Sequence, residues 1–456
     1  MKSGLAGRTI TESAKETKVC YEADVVVVGG GPGGHSAAVA AARNGANTVL
    51  VERYGHLGGM ATGGLVILIP HMSDGSKEQQ IAGLCQEWID RLDAIGGALH
   101  PKREELGSSD KKVVSHWQRY FSTVVAGRVR QTVCVDPELL KCVLNNMVEE
   151  AGVKLFLHSW GTQAVVDKGK VQGIIFESKS GRQAILGKVI IDGTGDGDLL
   201  PSAGAEYDDM LDRELRSSML ALVFRLGNAD FNKFSDFREA EPKKYDELMQ
   251  ELTKVAGTRL LALPSSRNDV VWVNNWIPGL SSTNVEDLTR IEIDVRKMML
   301  LGHDFYKKHF PGFEKSFILD TASQTGTRGS RRLIGEYIVT KNDLHSGEKH
   351  HDTIAVIPRL GPPGENPHVY IPYRSLVPIK IEGLLVAGRS FSSDTMVNNM
   401  VNLIPHCAAM GQAAGTAAAL AIKQGVNPRQ LDYRVLQDTL LKQGVPLPGV
   451  ELAARR

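Results

Sequence analysis

Between Ala23 and Thr62 the apolar residues fall first in an unbroken block, then at helical spacing, then in a second block. DVVVV reads as a buried strand, GGGPGG as a turn, HSAAVAAARNG as a helix of small residues, and NTVLVE as a second strand ending at Glu52. Further on, DPELLKCVLNNMVEEAGVKLFLHS opens with an N-cap Asp136 and Pro137, carries periodic apolar residues, and reaches Gly152 where a C-terminal cap belongs. The run TQAVVDKGKVQGIIFESKSGRQAILGKVIID alternates as strands do, with turns at Lys168-Gly169 and Ser180-Gly181, so we expect a β-meander that returns to a parallel sheet.

From about Ala205 to Gly364 the pattern changes to mixed helices and strands without a second glycine fingerprint, which predicts an inserted unit. GLLVAGRSFS then reads as a strand entering a loop, and PHCAAMGQAAGTAAALAIKQG as an Ala/Gly-rich helix stopped at Gly425. The expected architecture is α/β. A discontinuous nucleotide-binding domain spans 22–70, 130–205 and 365–430, an α+β cap spans 71–129 and 206–364, and a C-terminal tail or helix follows at 431–456. The charged stretch PKREELGSSDKKVV is expected as an exposed loop or mobile excursion that covers a site.

Composition narrows the function classes. With 42% hydrophobic and 23% charged residues and a net charge of +1, nothing suggests a nucleic-acid or membrane partner, and any charged substrate must be met locally. The five cysteines include no CxxC pair, so neither a disulfide framework, a zinc site nor an iron-sulfur cluster is indicated, and no metal is expected. The stretch before Asp24 lacks the apolar core of a signal peptide and no later run has the length of a membrane helix, so a cytoplasmic protein is expected.

Gly29, Gly31 and Gly34 fit GxGxxG, directly after a strand and directly before a helix. The first glycine permits the tight turn, the second lets the backbone approach a pyrophosphate, and the third allows close helix-strand packing beside the positive helix terminus. A carboxylate at Glu52 accepts hydrogen bonds from ribose hydroxyls and repels a 2′-phosphate, which argues against NADP. FAD and NAD both satisfy this motif. GHLGGMATGG, Gly55 to Gly64, favours FAD, because it offers flexible backbone along which a ribityl chain can pass.

Taken together, DVVVVGGGPGG, VERYGHLGGMAT, IIDGTGDGDLLPSAGA, LLVAGRSFSS and CAAMGQAAGTAAALA resemble the bacterial FAD-dependent oxidoreductases of the glutathione-reductase-like flavoprotein superfamily. TGTRGSRRLIGEYIVT and YIPYRSLVP look like the same family, so the likeness extends from about Asp24 to Gly444. It implies noncovalent FAD in a Rossmann-like domain of three separated segments, under a substrate-binding cap. By the same likeness Gly29, Gly31 and Gly34, with Pro32 and Gly33, hold the pyrophosphate, and Glu52, with Arg53 beside it, meets the adenosine ribose. Gly58, Gly59 and Met60 lie near the ribityl and flavin, Thr194, Gly195 and Asp196 line the adenosine side, and Gly388 and Arg389 touch the ribityl or a phosphate. Gly411, Gln412 and Ala413 sit on a helix aimed at the flavin pyrimidine ring, where a helix N-terminus stabilises the charge of the reduced ring. The chain departs from the family pattern before that helix: NLIPHC has Asn402 and His406 where an Arg and a Thr are expected, so a cationic anchor is missing.

Candidate catalytic groups follow. His406 is the proton-handling group expected nearest the flavin, against the alternative of a helix-start packing histidine. His71, in ILIPHMSDG, follows an apolar run ending near the flavin face. Arg328, with Arg331 and Arg332, either binds an acidic substrate or cofactor phosphate or forms an ion-paired turn. Of Tyr370 and Tyr373, which alternate as in a strand, one is expected in the core and one to present a phenol, Tyr373 being the candidate. His35 and Cys407 are expected to pack; His56, just before LGG, raises a covalent flavin bond, but its spacing differs from the histidyl-flavin pattern and noncovalent FAD is expected. The expected function is hydride transfer between FAD and a small organic substrate, with an electron partner the sequence does not name and a homo-oligomer as one possible assembly. Two competing classes are a non-redox flavoenzyme (isomerase, hydratase or lyase) and an electron-transfer flavoprotein subunit.

Overall fold

The computed structural model describes residues 9–14, 16–359 and 367–450. The expected boundary at 364/365 and the end of the tail, 451–456, lie outside the described residues. Four consecutive valines, Val25 to Val28, close strand β1 (Lys18–Val28) and are buried, as a central parallel strand with two covered faces requires. The chain turns through its glycines into helix α1 (Pro32–Arg43) and returns in β2 (Thr48–Val51), parallel to β1 with Val28 opposite Val51. Asp136 caps helix α2 (Pro137–Glu150) by accepting from the N–H groups of Glu138 and Leu139, with Pro137 opening the helix. Past Gly152, which is left-handed, the strand Lys154–Phe156 pairs parallel to β2.

The meander is present. Trp160–Asp167 and Lys170–Ser178 pair antiparallel across a turn whose residues Lys168 and Gly169 both have positive φ, the twist-matched hairpin geometry. Lys170–Ser178 pairs antiparallel with β3 (Gly181–Asp192), which is long enough to leave the meander and finish parallel to β1, Val28 lying opposite Asp192. Strand β4 (Leu384–Val386) pairs parallel with the last residues of β3, Val386 opposite Asp192. Val28, Val51, Asp192 and Val386 therefore end in register at one edge of a seven-stranded mixed sheet. Ligands of such sheets bind outside the carboxyl ends of the strands.

Helix α3 (Ile404–Gln424) lies against α1 at backbone contact. A Cβ on Gly411 would stand 2.0 Å from the Gly33 carbonyl oxygen and one on Gly415 2.0 Å from that of Ala37, so glycines four residues apart on α3 meet residues four apart on α1. The helix Leu84–Asp93 packs on α2 and α3 with Trp88 and Leu92 buried. PKREELGSSDKKVV is not one loop: Asp110 caps a helix, Lys111–Gln118, that buries Trp117.

A second sheet of four antiparallel strands runs in the order Leu261–Pro264, Val270–Asn274, Phe224–Gly227, Phe317–Thr321, with helices Phe231–Ala240, Pro242–Ala256 and Val285–His309. It has its own core, in which Phe234 meets Phe313 edge-on at 5.2 Å and Tyr306 tilts on Phe310 at 4.9 Å. Strand alternation divides its faces: Ala262, Val271 and Val273 enter that core, while Leu261, Leu263, Trp272 and Asn274 face a cavity toward the first sheet. Among the described residues no helix is long and apolar enough to cross a membrane.

Candidate active site

Two connected cavities open at the carboxyl ends of β1 to β4. The larger encloses about 1390 Å³ of empty space, its mouth included, and the smaller about 460 Å³. They share Gly31, Arg53, Gly59, Gly193, Thr194 and Gln324. Joined through these residues, the two form one elongated cleft along the carboxyl ends of the strands.

The fingerprint glycines divide by role. Gly29 has φ +92, and a Cβ there would lie 2.7 Å from the Gly193 carbonyl oxygen. Gly34 is a packing position, because its Cβ would stand 1.7 Å from the Gly29 oxygen. Gly31 has nothing within 4 Å of an added Cβ and faces both cavities. It is the N-cap of α1 with no side-chain cap, so the first-turn N–H groups of the helix stay available beside the opening. Pro32 and Gly33 line the larger cavity.

Glu52, buried at the end of β2, lines the smaller cavity. Its two oxygens accept from the N–H of Gly30 at 2.5 Å and of Tyr54 at 2.8 Å, each oxygen keeping a further lone pair. Burial raises its pKa, and these two N–H groups oppose the rise. Arg53 lines both cavities with its guanidinium 4.8 Å over the Tyr54 ring. Trp160, Ser159 and Gly161 complete this end.

In DGTGDGD the Asp192 carboxylate shapes the loop: one oxygen accepts from the Thr194 N–H and hydroxyl, the other from the Leu199 N–H. Gly195 and Gly197 take positive φ in the turn. Thr194, Gly195 and Asp196 line the larger cavity, and one Asp196 oxygen accepts from Arg389 at 3.0 Å, Ser330 at 2.6 Å and Ser282 at 3.2 Å. Burial would raise its pKa, but Arg389 and these bonds hold it below the ordinary value. Asp198, in the smaller cavity, is pushed up to about 6 by burial and by Asp196 and Asp192.

On the opposite side Gly59 and Met60 from the loop after β2, and Gly388 and Arg389 after β4, line the larger cavity. Gly58 does not; it has φ +95 and packs on Thr62 and Leu144. Gly411, Gln412 and Ala413 lie on α3 but do not line either cavity. Gly411 provides the close approach to α1, the Gln412 carbonyl accepts from the Leu84 N–H at 2.8 Å while its amide donates to Gln443, and Ala413 is fully buried. The helix still aims its N-terminus at the cavity, through Leu403, which makes no side-chain cap, Ile404 and Cys407. Burial pushes the Cys407 thiol up to about 12, so it packs as a neutral group.

Of the four catalytic candidates only Arg328 lines the cavity. His406 is 0% exposed, its ring nitrogens have no partner among the described residues, and burial followed by Arg216 lowers its pKa to about 3. It is neutral and sits off the cavity face of α3. His71 is also outside the cavity; its Nε2 lies 2.7 Å from Ser122 Oγ and 3.0 Å from an Arg130 nitrogen, and burial with Arg130 holds it well below the usual range. Tyr373 is a core residue that donates its hydroxyl to the Pro428 carbonyl at 2.9 Å. The arginine cluster separates: Arg331 bonds Asp196 and Asp198, and Arg332 is buried against Asp208 and the Ser393 carbonyl. His35 bonds the Leu144 carbonyl and packs edge-on to Trp88, and His56 bonds Ser323 beside Tyr54.

Sequence reading missed Arg216, Phe121, Trp272 and Trp276, all of which line the larger cavity. Only the strand alternation of LALP and VVWVN carries a signal for this wall, since one face of that sheet must meet something outside its own core. The open position at Gly31, the uncapped turn of α1 and the buried Glu52 carboxylate fit an adenosine diphosphate group, and the space beyond fits the rest of FAD.

A family model described as FAD dependent oxidoreductase matches residues 24–440. Among solved structures, a geranylgeranyl bacteriochlorophyll reductase-like protein from Thermoplasma acidophilum is 16% identical, with 93% of this chain and 84% of that chain covered and a TM-score of 0.43. A p-nitrophenol 4-monooxygenase from Pseudomonas putida DLL-E4 is 12% identical, with 92% and 83% covered and a TM-score of 0.49. The flavin-dependent brominase Bmp2 is 13% identical, with 92% and 83% covered and a TM-score of 0.47. A comparison with curated protein sequences gives no match.

Proposed function

The chain belongs to the FAD dependent oxidoreductase family, and from that premise we propose that it transfers a hydride between noncovalently bound FAD and a small organic substrate held between the seven-stranded and four-stranded sheets. The observation that carries this reading is the convergence of Gly31, Glu52, Thr194 and Gly388, from four separated chain segments, on connected cavities at the carboxyl ends of one sheet. When bound, FAD supplies two-electron chemistry. The first turn of α1 offers its N–H groups to the pyrophosphate, and the spare lone pairs of Glu52 accept the ribose hydroxyls.

The N-terminus of α3 favours negative charge that develops nearby during reduction. Leu261, Leu263, Trp272 and Phe121 form an apolar wall that excludes water from the substrate end. Among the described residues no histidine lines the cavity, and the one cysteine that does is neutral. In this reading the chain acts by binding, orientation and fixed charge. In this reading segments 22–70, 130–205 and 365–430 hold the cofactor, the residues between them supply the cap, and an electron partner uses the same cleft.

The test is anaerobic mixing of the holoprotein with candidate metabolites. Bleaching of the flavin absorbance by substrate alone supports the reading. Product formed with the flavin spectrum unchanged throughout indicates non-redox use of the cofactor and overturns it.

A further inference from the structure

We propose that the substrate is a carboxylate carried on a flat apolar body, its anionic end held by Arg216 and Arg328; this rests on the larger cavity being the substrate site of an FAD enzyme. Both arginines line that cavity. The Arg328 guanidinium lies 5.9 Å over the Trp276 ring, and among the described residues it has no carboxylate partner. Arg216 donates to the Asn399 carbonyl at 2.8 Å and likewise has no carboxylate partner there. Asp196, the one acidic residue lining the cavity among the described residues, is bonded to Arg389.

Two like charges held near one another away from water are costly unless an anion is shared between them. The two arginines do feel one another, since burial and then Arg216 pull Arg328 down to about 9. Trp276 adds an indole N–H that is buried without a hydrogen-bond partner among the described residues. Two guanidinium groups without a carboxylate partner among the described residues thus line the same cavity as this indole, and planar guanidinium forks match a carboxylate. Facing them, Phe121, Leu261, Leu263 and Trp272 form the apolar wall described above, which suits a flat body.

The cofactor phosphates lie elsewhere. Their cradle is at α1, whereas Arg216 bonds Asn399, and Asn402, just before α3, donates its amide to the Arg328 carbonyl at 3.0 Å. Asn402 and Arg328 thus meet through the Arg328 backbone, and both line the larger cavity.

The test titrates purified holoprotein with benzoate, phenylacetate and cinnamate and with their neutral amides, following flavin absorbance and tryptophan fluorescence. At least one acid is expected to perturb these signals, with its amide about tenfold weaker or more, and Arg328→Gln is expected to weaken the acid about ten- to hundredfold. Arg216→Gln should weaken the same acid, and both variants should keep the FAD affinity of the parent. The proposal is overturned if no acid perturbs either signal, if amides bind as well as acids, or if Arg328→Gln loses FAD in parallel, which would make Arg328 a cofactor ligand. A protein that binds an acid through Arg328, read by tryptophan fluorescence, yet holds no flavin would sink the oxidoreductase reading and leave the anion site standing.

Discussion

Replacing Gly31 with serine separates holding the cofactor from holding the fold. Gly31 is the N-cap of α1 with φ −67 and ψ −174, an extended geometry open to any residue, and an added Cβ has nothing within 4 Å. Serine is a better cap than glycine by a few tenths of a kcal/mol, because its hydroxyl accepts from the first-turn N–H groups. Loss of glycine freedom in the unfolded chain adds about 0.4–1 kcal/mol. The Gly31→Ser apoprotein should therefore unfold in urea at a higher midpoint than the parent, with roughly 0.5–1.5 kcal/mol of added stability.

Cofactor binding should move the other way. The serine hydroxyl occupies N–H groups otherwise offered to the pyrophosphate and enters the space it approaches. A hydrogen bond to a charged group contributes about 1.5–3 kcal/mol, so losing one weakens FAD binding roughly 10- to 150-fold. FAD titrated into apoprotein, followed by quenching of its fluorescence, measures this directly. Gly34→Ser is the contrast, because its Cβ would stand 1.7 Å from the Gly29 oxygen and the fold itself should fail. A Gly31→Ser protein that loses stability, or that binds FAD as tightly as the parent, refutes the assignment of this terminus to the pyrophosphate.

Three further substitutions probe the interior. Gly411→Val places a side chain where even a Cβ would be 2.0 Å from the Gly33 oxygen, so it should destabilise the fold by at least about 1–3 kcal/mol, and an unchanged thermal midpoint would contradict the α1–α3 contact. Tyr373→Phe removes the bond to the Pro428 carbonyl and should cost about 0.5–1.5 kcal/mol with kcat unchanged; a lower kcat at parental stability would return Tyr373 to the active site. The folded pKa of His406, about 3, lies below its unfolded value near 6.5, so its contribution is present above pH 6.5 and is lost as pH falls toward 3. That loss is about 2 kcal/mol between pH 7 and pH 5. His406→Met, which sacrifices no hydrogen bond, should flatten this acid limb in urea unfolding, and an identical pH profile would show that the ring titrates freely.

Sequence pattern exposes what depends on local chain geometry. The valine block, GGGPGG turn, Asp136 cap and Lys168-Gly169 hairpin are each set by residues within a few positions of one another, and each has the expected form. The family likeness marked many cavity residues in the same way, because Gly31, Glu52, Thr194 and Gly388 follow directly on strand ends. It does not reveal where a motif also serves packing. GQAAG reads as a cofactor contact until Gly411 and Gly415 are seen against α1, and that contact depends on where another helix lies in space. His406 misled for a related reason: sequence places it at the start of the correct helix, but the helical turn rotates it away from the cavity and leaves Ile404 and Cys407 facing in. Arg216 and Trp276 carried no local signal, because the cap brings them to the cavity from surroundings of ordinary charged and apolar residues.

If these cavities hold FAD noncovalently, by its adenosine diphosphate, denaturing the purified protein frees the cofactor for identification. The expected result is FAD in the protein-free supernatant, stoichiometric with the chain, with no flavin left on the polypeptide. Release of FMN or a nicotinamide dinucleotide, or flavin retained covalently on the denatured chain, would contradict it.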